Sequence, residues 1–458
     1  MTPRLLSTVS LALALATIGG ASAIVPRSSS ESNPGFLSFP IEHARHVRSI
    51  STIAKRDADV QLFNVSSVSY LIQLSIGTPG QSVKVAVDTG SDELWVDPNC
   101  LDRTLVQQQQ QECVADGQYN PDNSSSATTS GISATANTIP YGKGTVQIAY
   151  VKDDISLPGS SAALTSVQFG VATRSQELNE GIMGIGFGAG LNTDYNNIID
   201  ELAAQKVTNS KAFSVALGSV DANNGGVIIF GGVDTKKFTG SLVSNPVLGP
   251  QFNGDVHRYY VQLTSIALNE STTQKTYPNS SAAVVLDSGS SLSYLPESVF
   301  TSLAGDLGAQ LDQQSGAYFV DCSLLTSADT NTIDFVFGEV TIKVPVSDFV
   351  LQADSQDCIL GAMSADPSTG ITALLGDTFM RSAYVVFDQT TDTISMAQYA
   401  NCGQAEQTIP AGGVRIGFHG LYILDYRAVP YLYTVKRWAR IYLTVIPGTC
   451  SSTAGLRR

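Results

Sequence analysis

The sequence predicts a mainly β protein of two related β-rich lobes, with a functional site in the cleft between them. Residues 87–91 (VDTGS) and 286–290 (LDSGS) match closely, because each is an apolar strand that runs into Asp, a small hydroxyl residue and Gly. A second matching pair, residues 182–184 (IMG) and 374–376 (LLG), follows the two Asp at similar distances. Between these segments, short β-like runs alternate with Gly, Ser, Asn and Asp.

The two Asp residues, Asp88 and Asp287, are 199 positions apart (287 − 88), too far for a tandem array of small repeats. This spacing indicates a duplicated lobe in which each copy supplies one carboxylate. Two carboxylates within about 3 Å cannot both ionise, so they share one proton. One can then act as a base on a water molecule while the other donates a proton. The two apolar-apolar-Gly segments fit buried strands that another backbone crosses closely.

Most of the predicted secondary structure is strand. The β-like runs are residues 70–76, 82–87, 226–230, 259–267, 282–286, 340–344 and 383–387. Helical spacing of apolar residues predicts helices over 197–207 and 297–311, each downstream of its lobe's Asp. The low-complexity segments 107–111 (QQQQQ) and 124–130 predict exposed loops.

The chain opens with the features of a secretory signal peptide, residues 1–23. Arg4 precedes an apolar stretch over 5–18, and residues 21–23 (ASA) offer a cleavage site. The apolar stretch is too short to span a bilayer. The sequence therefore predicts a secreted, extracellular protein.

Residues 24–56 have the composition of a propeptide. Five basic residues stand against two acidic ones, and the segment ends in the dibasic pair Lys55-Arg56. We expect this basic segment to lie against an acidic cleft until a processing protease cuts after Arg56.

Residues 57–402 hold 36 acidic and 13 basic residues, a formal net charge of −23. This charge argues against nucleic acid as a partner, since phosphate binding needs the opposite field. It fits a protein that works in acid, and equally a soluble secreted acidic protein. We place an N-terminal lobe at 57–248 and a C-terminal lobe at 249–402, because Pro and Gly cluster over 245–254.

The tail, residues 403–458, inverts the charge balance, with seven basic residues against two acidic ones. It is also rich in aromatic residues. One interpretation is attachment to a cell wall or membrane surface, and the other is a mis-predicted gene end. Its basic residues interrupt any hydrophobic lipid-anchor signal.

Six cysteines in a secreted chain indicate disulfides, with fifteen possible pairings. Pairs Cys100–Cys113 and Cys322–Cys358 would each close a local loop within one lobe, which leaves Cys402 and Cys450. No Cys-x-x-Cys is present, and His257 is the single histidine of residues 57–402. A metal site therefore has little support, and no cofactor is expected. Four Asn-x-Ser sequons predict some glycosylation: Asn64, Asn123, Asn269 and Asn279.

Five segments together resemble the pepsin-like aspartic proteases. They are residues 88–96 (DTGSDELWV), 141–145 (YGKGT), 287–291 (DSGSS), 375–379 (LGDTF) and 384–388 (YVVFD). The resemblance covers about residues 68–402. The long loop between Cys100 and Cys113 and the dibasic pair look like the secreted fungal branch that includes candidapepsins and yapsins.

The resemblance implies a bilobal fold and an endopeptidase in which Asp88 and Asp287 hold the attacking water. It implies a flap made of Tyr141, Gly142, Lys143 and Gly144, with the tyrosine hydroxyl near the Trp95 indole. The residues that it implies as supports of the dyad are Thr89, Gly90, Ser91, Ser288 and Gly289. Thr89 and Ser288 would cross-link the two Asp loops, and the glycines would let backbone N–H groups approach the carboxylates. The implied partners are protein or peptide substrates and pepstatin-type inhibitors, and the implied state is a monomer.

Three positions depart from the commoner family pattern. Ser288 stands where Thr is more frequent, which keeps the hydroxyl. Glu93 stands where Asn is frequent, and Lys143 stands where many fungal relatives have Asp. An ammonium group on the flap disfavours basic substrate residues, so we expect a preference for large apolar residues at the scissile bond.

Other functions have less support in the sequence. A Ser/His/Asp triad would have to use His257, and no nucleophile-elbow motif accompanies it. The Gly-rich run 181–190 lacks the Lys of a phosphate-binding loop. A binding protein on the same fold remains the competing class, since fold does not fix function.

Overall fold

The computed structural model describes the chain from Gly35 to Gly420, with gaps. The described residues are 35–46, 67–97, 100, 107–130, 132, 137–142, 144–158, 160, 162–176, 178, 180–218, 226–270, 272–327, 330–353, 356–366, 373–414 and 418–420. Predicted features that lie outside them include the signal peptide, the Lys55-Arg56 pair, Asn64, Lys143 and Cys450.

Strands dominate the described chain. In the first half they are β1 (Leu37–His46), β2 (Ser67–Ile76), β3 (Gln81–Asp88), β4 (Leu94–Val96), β5 (Asn137–Tyr141), β6 (Gly144–Ser156), β7 (Ala163–Gln176), β8 (Gly181–Gly184), β9 (Ala212–Ala216), β10 (Gly226–Phe230), β11 (Gly232–Asp234) and β12 (Phe238–Pro246). In the second half they are β13 (Tyr260–Leu263), β14 (Ser265–Glu270), β15 (Thr273–Thr276), β16 (Ala282–Leu286), β17 (Ser293–Leu295), β18 (Gln310–Leu311), β19 (Tyr318–Val320), β20 (Thr332–Phe337), β21 (Val340–Pro345), β22 (Val350–Gln352), β23 (Cys358–Leu360), β24 (Ala362–Ser364), β25 (Leu374–Leu375), β26 (Ala383–Asp388), β27 (Thr393–Tyr399) and β28 (Glu406–Thr408).

Within the described residues the strands are accompanied by four α-helices: α1 (Gln107–Asp116), α2 (Ile198–Ala204), α3 (Glu297–Asp306) and α4 (Asp377–Met380). Both predicted helices form, as α2 and α3. The second is shorter than predicted, because Gly308 adopts a left-handed conformation (φ 68°) and residues 310–311 turn into β18. The loop predicted over residues 107–111 is wrong, since these glutamines begin α1. Gln is a good helix former, and the buried Cys113 anchors this helix through its disulfide.

The predicted duplication is visible in the strand order. Around the first Asp the order is β2-β3-β8-β4-β7, and around the second it is β13-β16-β25-β17-β24. The pairings match one to one. In each copy the Asp-bearing strand has an antiparallel partner on one side and a parallel partner on the other. Each copy of this strand plan therefore supplies one of the two carboxylates.

A 13-stranded sheet joins strands from both halves of the chain, in the order β12-β27-β26-β9-β10-β1-β2-β3-β8-β4-β7-β6-β5. Strand β3 alternates as half-buried strands do, with Val83, Val85 and Val87 buried, whereas β9 and β26 are buried along their whole length. Strands β9 and β26 pair across the proposed lobe boundary, from Ala212 to Asp388. This pairing holds the ends of the two halves together.

Part of the predicted propeptide is a strand of this sheet. Strand β1 pairs with β10 through residues 37–41 and with β2 through residues 42–46. Glu42 accepts a hydrogen bond from Lys84 Nζ at 2.6 Å. These residues therefore add to the sheet rather than lying across a cleft as the charge argument suggested, because Leu37, Phe39 and Ile41 alternate and are buried.

The packed chain continues beyond Cys402. Strand β28 pairs with β11, and Ile409 is fully buried in the adjoining cluster. Residues 403–414 are thus part of the fold, and the balance of the predicted tail lies largely outside the described residues. Among the residues that the structure describes, no helix has the length and apolar character needed to cross a membrane.

Candidate active site

The two predicted Asp loops meet and exchange hydrogen bonds through their hydroxyl residues. Thr89 Oγ1 donates to Leu286 O (2.8 Å), and Ser288 Oγ donates to Val87 O (2.8 Å). The backbone N–H of Ser288 donates to Thr89 Oγ1 (2.9 Å), and that of Thr89 donates to Ser288 Oγ (3.2 Å). Both hydroxyl residues are buried. The exchange explains why a small hydroxyl residue follows each Asp.

The glycine of each loop faces the carboxylate of the other. A Cβ on Gly90 would lie 2.5 Å from Asp287 Oδ1, and a Cβ on Gly289 would lie 2.4 Å from Asp88 Oδ1. Real Cβ atoms do not approach an oxygen this closely. Glycine at these two positions is therefore what lets the two carboxylates converge.

The two carboxylates have equivalent hydrogen-bond partners. Asp88 accepts from the N–H of Gly90 (2.8 Å) and from the hydroxyl of Ser91. Asp287 accepts from the N–H of Gly289 (2.9 Å) and from Ser290 Oγ (2.8 Å). Burial, and next the Asp287 carboxylate, raise the pKa of Asp88 well above its ordinary value. A proton is thus retained on the pair in weak acid.

The two Asp loops are also hydrogen-bonded to the chain at β8 and β25. The N–H of Ile185 donates to Asp88 O (2.9 Å), and the N–H of Asp287 donates to Leu375 O (3.1 Å). A Cβ on Gly184 would lie 2.5 Å from Glu93 N, and one on Gly376 would lie 2.2 Å from Ser290 O. The close backbone crossing expected at both apolar-apolar-Gly segments is present.

The flap residues lie on a hairpin formed by β5 and β6, in which Tyr141 pairs with Gly144. Trp95 Nε1 donates to the Tyr141 hydroxyl at 2.8 Å, and the Trp95 side chain is fully buried. Burial, followed by the Asp88 charge, raises the pKa of Tyr141, so this phenol stays protonated. Gly142 lies at the turn, and Lys143 is outside the described residues.

Sequence reasoning missed two residues of the site. Ser290 mirrors Ser91, three positions after its Asp, so the internal repeat could have identified it. Arg258 donates from Nη1 to Gly90 O at 2.9 Å, across 168 positions of sequence. Nothing in the pattern around Arg258 signals that contact.

Disulfides join Cys100 to Cys113 and Cys322 to Cys358, the two local pairs expected from the sequence. Each closes a loop within one half of the chain. Two of the described sequons, Asn123 and Asn279, have exposed side chains. Asn269 instead donates from Nδ2 to Asp334 Oδ2 at 2.8 Å. Glycosylation stays a prediction at each of them.

Comparison with known proteins gives the same family. The family model described as eukaryotic aspartyl protease matches residues 69–399. The probable aspartic-type endopeptidase opsB of Aspergillus fumigatus is 34% identical over 379 residues, covering 79% of this chain and 74% of that protein. Secreted aspartic protease 8 of Candida albicans is 37% identical over 334 residues, with 72% and 76% covered. Candidapepsin-2 of Candida parapsilosis is 32% identical over 386 residues, with 82% and 87% covered.

The twofold strand plan, the paired Asp loops and the similarity to these relatives all indicate the same family. The family model spans most of the chain, and the relatives align over most of their own length. The chain belongs to the eukaryotic aspartyl protease family: it is an aspartic-type endopeptidase with the pepsin-like fold, similar to those of fungi.

Proposed function

We propose that this chain is a secreted endopeptidase that hydrolyses peptide bonds at acid pH with a water molecule activated between Asp88 and Asp287. The observation that carries the proposal is the convergence of two equivalent carboxylates, each packed against the glycine of the opposite loop. One carboxylate takes a proton from the water as it attacks the peptide carbonyl. The other gives its proton to the carbonyl oxygen, so the reaction needs no covalent intermediate.

The acid optimum follows from the shared proton. The pair can supply both a base and an acid only while it holds one proton. Because burial and Asp287 raise the pKa of Asp88, that state extends through weak acid and is lost towards neutral pH. We expect a bell-shaped dependence of kcat/KM on pH, whose limits belong to the pair rather than to one residue.

The test is to replace each carboxylate by its amide. Asp88→Asn and Asp287→Asn should each lower kcat by at least about 10³-fold, since general acid–base catalysis contributes roughly 10²–10⁴ and both roles need the pair. Asp312→Asn is the matched control, because Asp312 is a solvent-facing carboxylate that accepts from Ser315 in a turn. Circular dichroism and thermal unfolding check that all three variants are folded.

Retained turnover in both dyad variants would contradict the assignment. A wild-type protein that binds peptides and cleaves none of them would instead indicate a binding protein on this fold. Hydrolysis of a denatured protein in acid, abolished by pepstatin, would exclude that second function.

Secretion and activation belong to the same proposal. Support comes from the signal-like residues 1–23, the dibasic pair Lys55-Arg56 and relatives whose names describe secreted proteases. Terminal sequencing of the secreted protein should find Asp57 as the first residue. A secreted protein that retains residues 24–56 would contradict processing after Arg56.

Substrate preference is proposed to depend on Lys143. Its ammonium group on the flap should disfavour a basic side chain beside the scissile bond, while apolar side chains gain about 25 cal/mol per Å² buried. Matched peptides with Phe, Leu or Lys before the bond compare wild type with Lys143→Asp. The Lys peptide should be the poorest substrate of the wild type and improve in the variant. A wild-type preference for Lys that the substitution leaves unchanged would refute this role.

A further inference from the structure

Glu93 is an acidic residue that the catalytic mechanism does not use, yet three separate segments donate hydrogen bonds to it. Its Oε2 accepts from the hydroxyls of Tyr150 (2.5 Å) and Tyr195 (2.8 Å). Its Oε1 accepts from Asn137 Nδ2 at 3.1 Å. Tyr150 also accepts from Asn137 Nδ2 (3.1 Å), so the four side chains form one connected network.

Two of the three donors belong to the flap hairpin. Asn137 is the first residue of β5 and Tyr150 lies on β6, so Glu93 contacts both strands at the end opposite Tyr141. The third donor, Tyr195, comes from the segment between β8 and α2. The rings of Tyr150 and Tyr195 pack edge to face, with centroids 5.4 Å apart. The network therefore joins the base of the flap to a neighbouring loop.

The segment that carries Glu93 also contacts the hairpin near its tip. Glu93 directly precedes β4 and Trp95 lies within it, and both side chains hydrogen-bond to the hairpin. Trp95 donates to Tyr141, which is the last residue of β5. One short segment thus holds the hairpin at two points, at its base through Glu93 and at its tip through Trp95.

The backbone next to Glu93 is fixed independently of the flap. The preceding residue, Asp92, accepts from the N–H of Phe187 (2.8 Å) and from Asn192 Nδ2 (2.9 Å). Asn192 Nδ2 also donates to the carbonyl oxygen of His257 at 2.7 Å. Glu93 is therefore an anchored acceptor, and the hairpin is the element whose position it can set.

We propose that Glu93 is a positioning residue for the flap: its carboxylate holds the base of the β5–β6 hairpin so that Tyr141 stays on Trp95 above the dyad. This inference rests on the proposed protease function. It also accounts for Glu93 standing where Asn is frequent in the family, because a carboxylate offers two oxygens to the three donors whereas the amide of Asn offers one. Hydrogen bonds to a charged acceptor are stronger than those between neutral groups.

The expected defect is in substrate binding. If loss of the carboxylate lowers the fraction of molecules with a closed flap to about one-tenth, the apparent KM rises about tenfold. Glu93→Ala should therefore raise KM about tenfold and leave the pH limits of kcat/KM unchanged, since the dyad is intact. Glu93→Gln keeps one acceptor oxygen for the two tyrosines but loses the second oxygen and the charge, so its KM should lie between those of wild type and Glu93→Ala. Glu270→Ala, an exposed glutamate on the β14–β15 hairpin, is the matched control and should have no effect.

Two readouts do not depend on catalysis. The protein has two tryptophans, so in a Trp438→Phe background the fluorescence reports Trp95 alone. Glu93→Ala should shift its emission towards that of Tyr141→Phe, and Glu93→Gln should shift it less. Hydrogen exchange should quicken in residues 137–150 of Glu93→Ala while the buried strand β26 keeps its protection.

Failure of this inference is distinct from failure of the proposed function. Unchanged Trp95 emission, unchanged exchange over 137–150 and wild-type KM in Glu93→Ala would overturn the positioning role even if the enzyme is active. Equal loss of protection in β26 would also overturn it, because Glu93 would then act on the whole fold. Activity that survives Asp88→Asn would overturn the proposed function and leave the fluorescence and exchange results interpretable.

Discussion

The hydroxyl of Ser288 offers a quantitative test of how the two lobes are joined. It donates to Val87 O at 2.8 Å and accepts from the N–H of Thr89 at 3.2 Å, both in the opposite loop. Ser288→Ala removes these two bonds at a buried position. Each buried group that loses its partner costs about 1–3 kcal/mol. For the two groups together we therefore expect the free energy of unfolding to fall by about 2–6 kcal/mol.

The assay is urea unfolding, followed by tryptophan fluorescence, together with kcat/KM on a peptide. Ser288→Thr keeps the hydroxyl and should stay close to wild type. Ser302→Ala is the matched control, because Ser302 Oγ donates to Ser298 O at 2.8 Å on an exposed face of α3. Its loss should change stability by less than about 0.5 kcal/mol. If Ser288→Ala shifts the midpoint no more than Ser302→Ala does, the hydroxyl exchange does not hold the lobes together.

Two further predictions concern the site glycine and the buried carboxyls. Gly289→Ala should reduce kcat by at least about 100-fold, because the new methyl would lie 2.4 Å from Asp88 Oδ1. Gly305→Ala is the control: Gly305 lies on an exposed turn of α3 with open space around it, so the substitution should stabilise the protein by about 0.5–1 kcal/mol. Equal activity of the two variants would contradict the packing argument. Burial raises the pKa of Asp92 to about 6 and that of Asp97 to about 7, so the folded protein binds these protons more tightly than the unfolded chain does. The stabilisation from these two protonated carboxyls is complete below about pH 4 and is lost as the pH rises through 6–7. The unfolding temperature should therefore fall between about pH 4 and pH 7, and it should fall less in Asp97→Asn. An unfolding temperature that rises over this pH range would contradict the prediction.

The sequence predicted what depends on local pattern and internal repetition. The meeting of the Asp88 and Asp287 loops was predictable because both loops have the same residues in the same order, and α2 and α3 were predictable because their apolar residues have helical spacing. Contacts between positions far apart in the chain produce no local pattern or repeat, so the sequence did not predict them. Glu93 and Tyr195 are 102 positions apart, and Arg258 and Gly90 are 168 apart. Strand β1 was not predicted, because its alternating apolar residues lie in a segment that was interpreted from its charge as a propeptide.

The twofold strand plan gives this molecule an internal reference. Thr89 and Ser288, Gly90 and Gly289, and Ser91 and Ser290 occupy equivalent places in two copies of one motif. A substitution in one loop can therefore be compared with its mirror image in the same protein, at the same concentration and pH. The β5–β6 hairpin belongs to the first copy. Any difference in activity between Ser91→Ala and Ser290→Ala accordingly measures how far the dyad departs from twofold symmetry. A reaction in which one carboxyl gives a proton and the other takes one requires such an asymmetry.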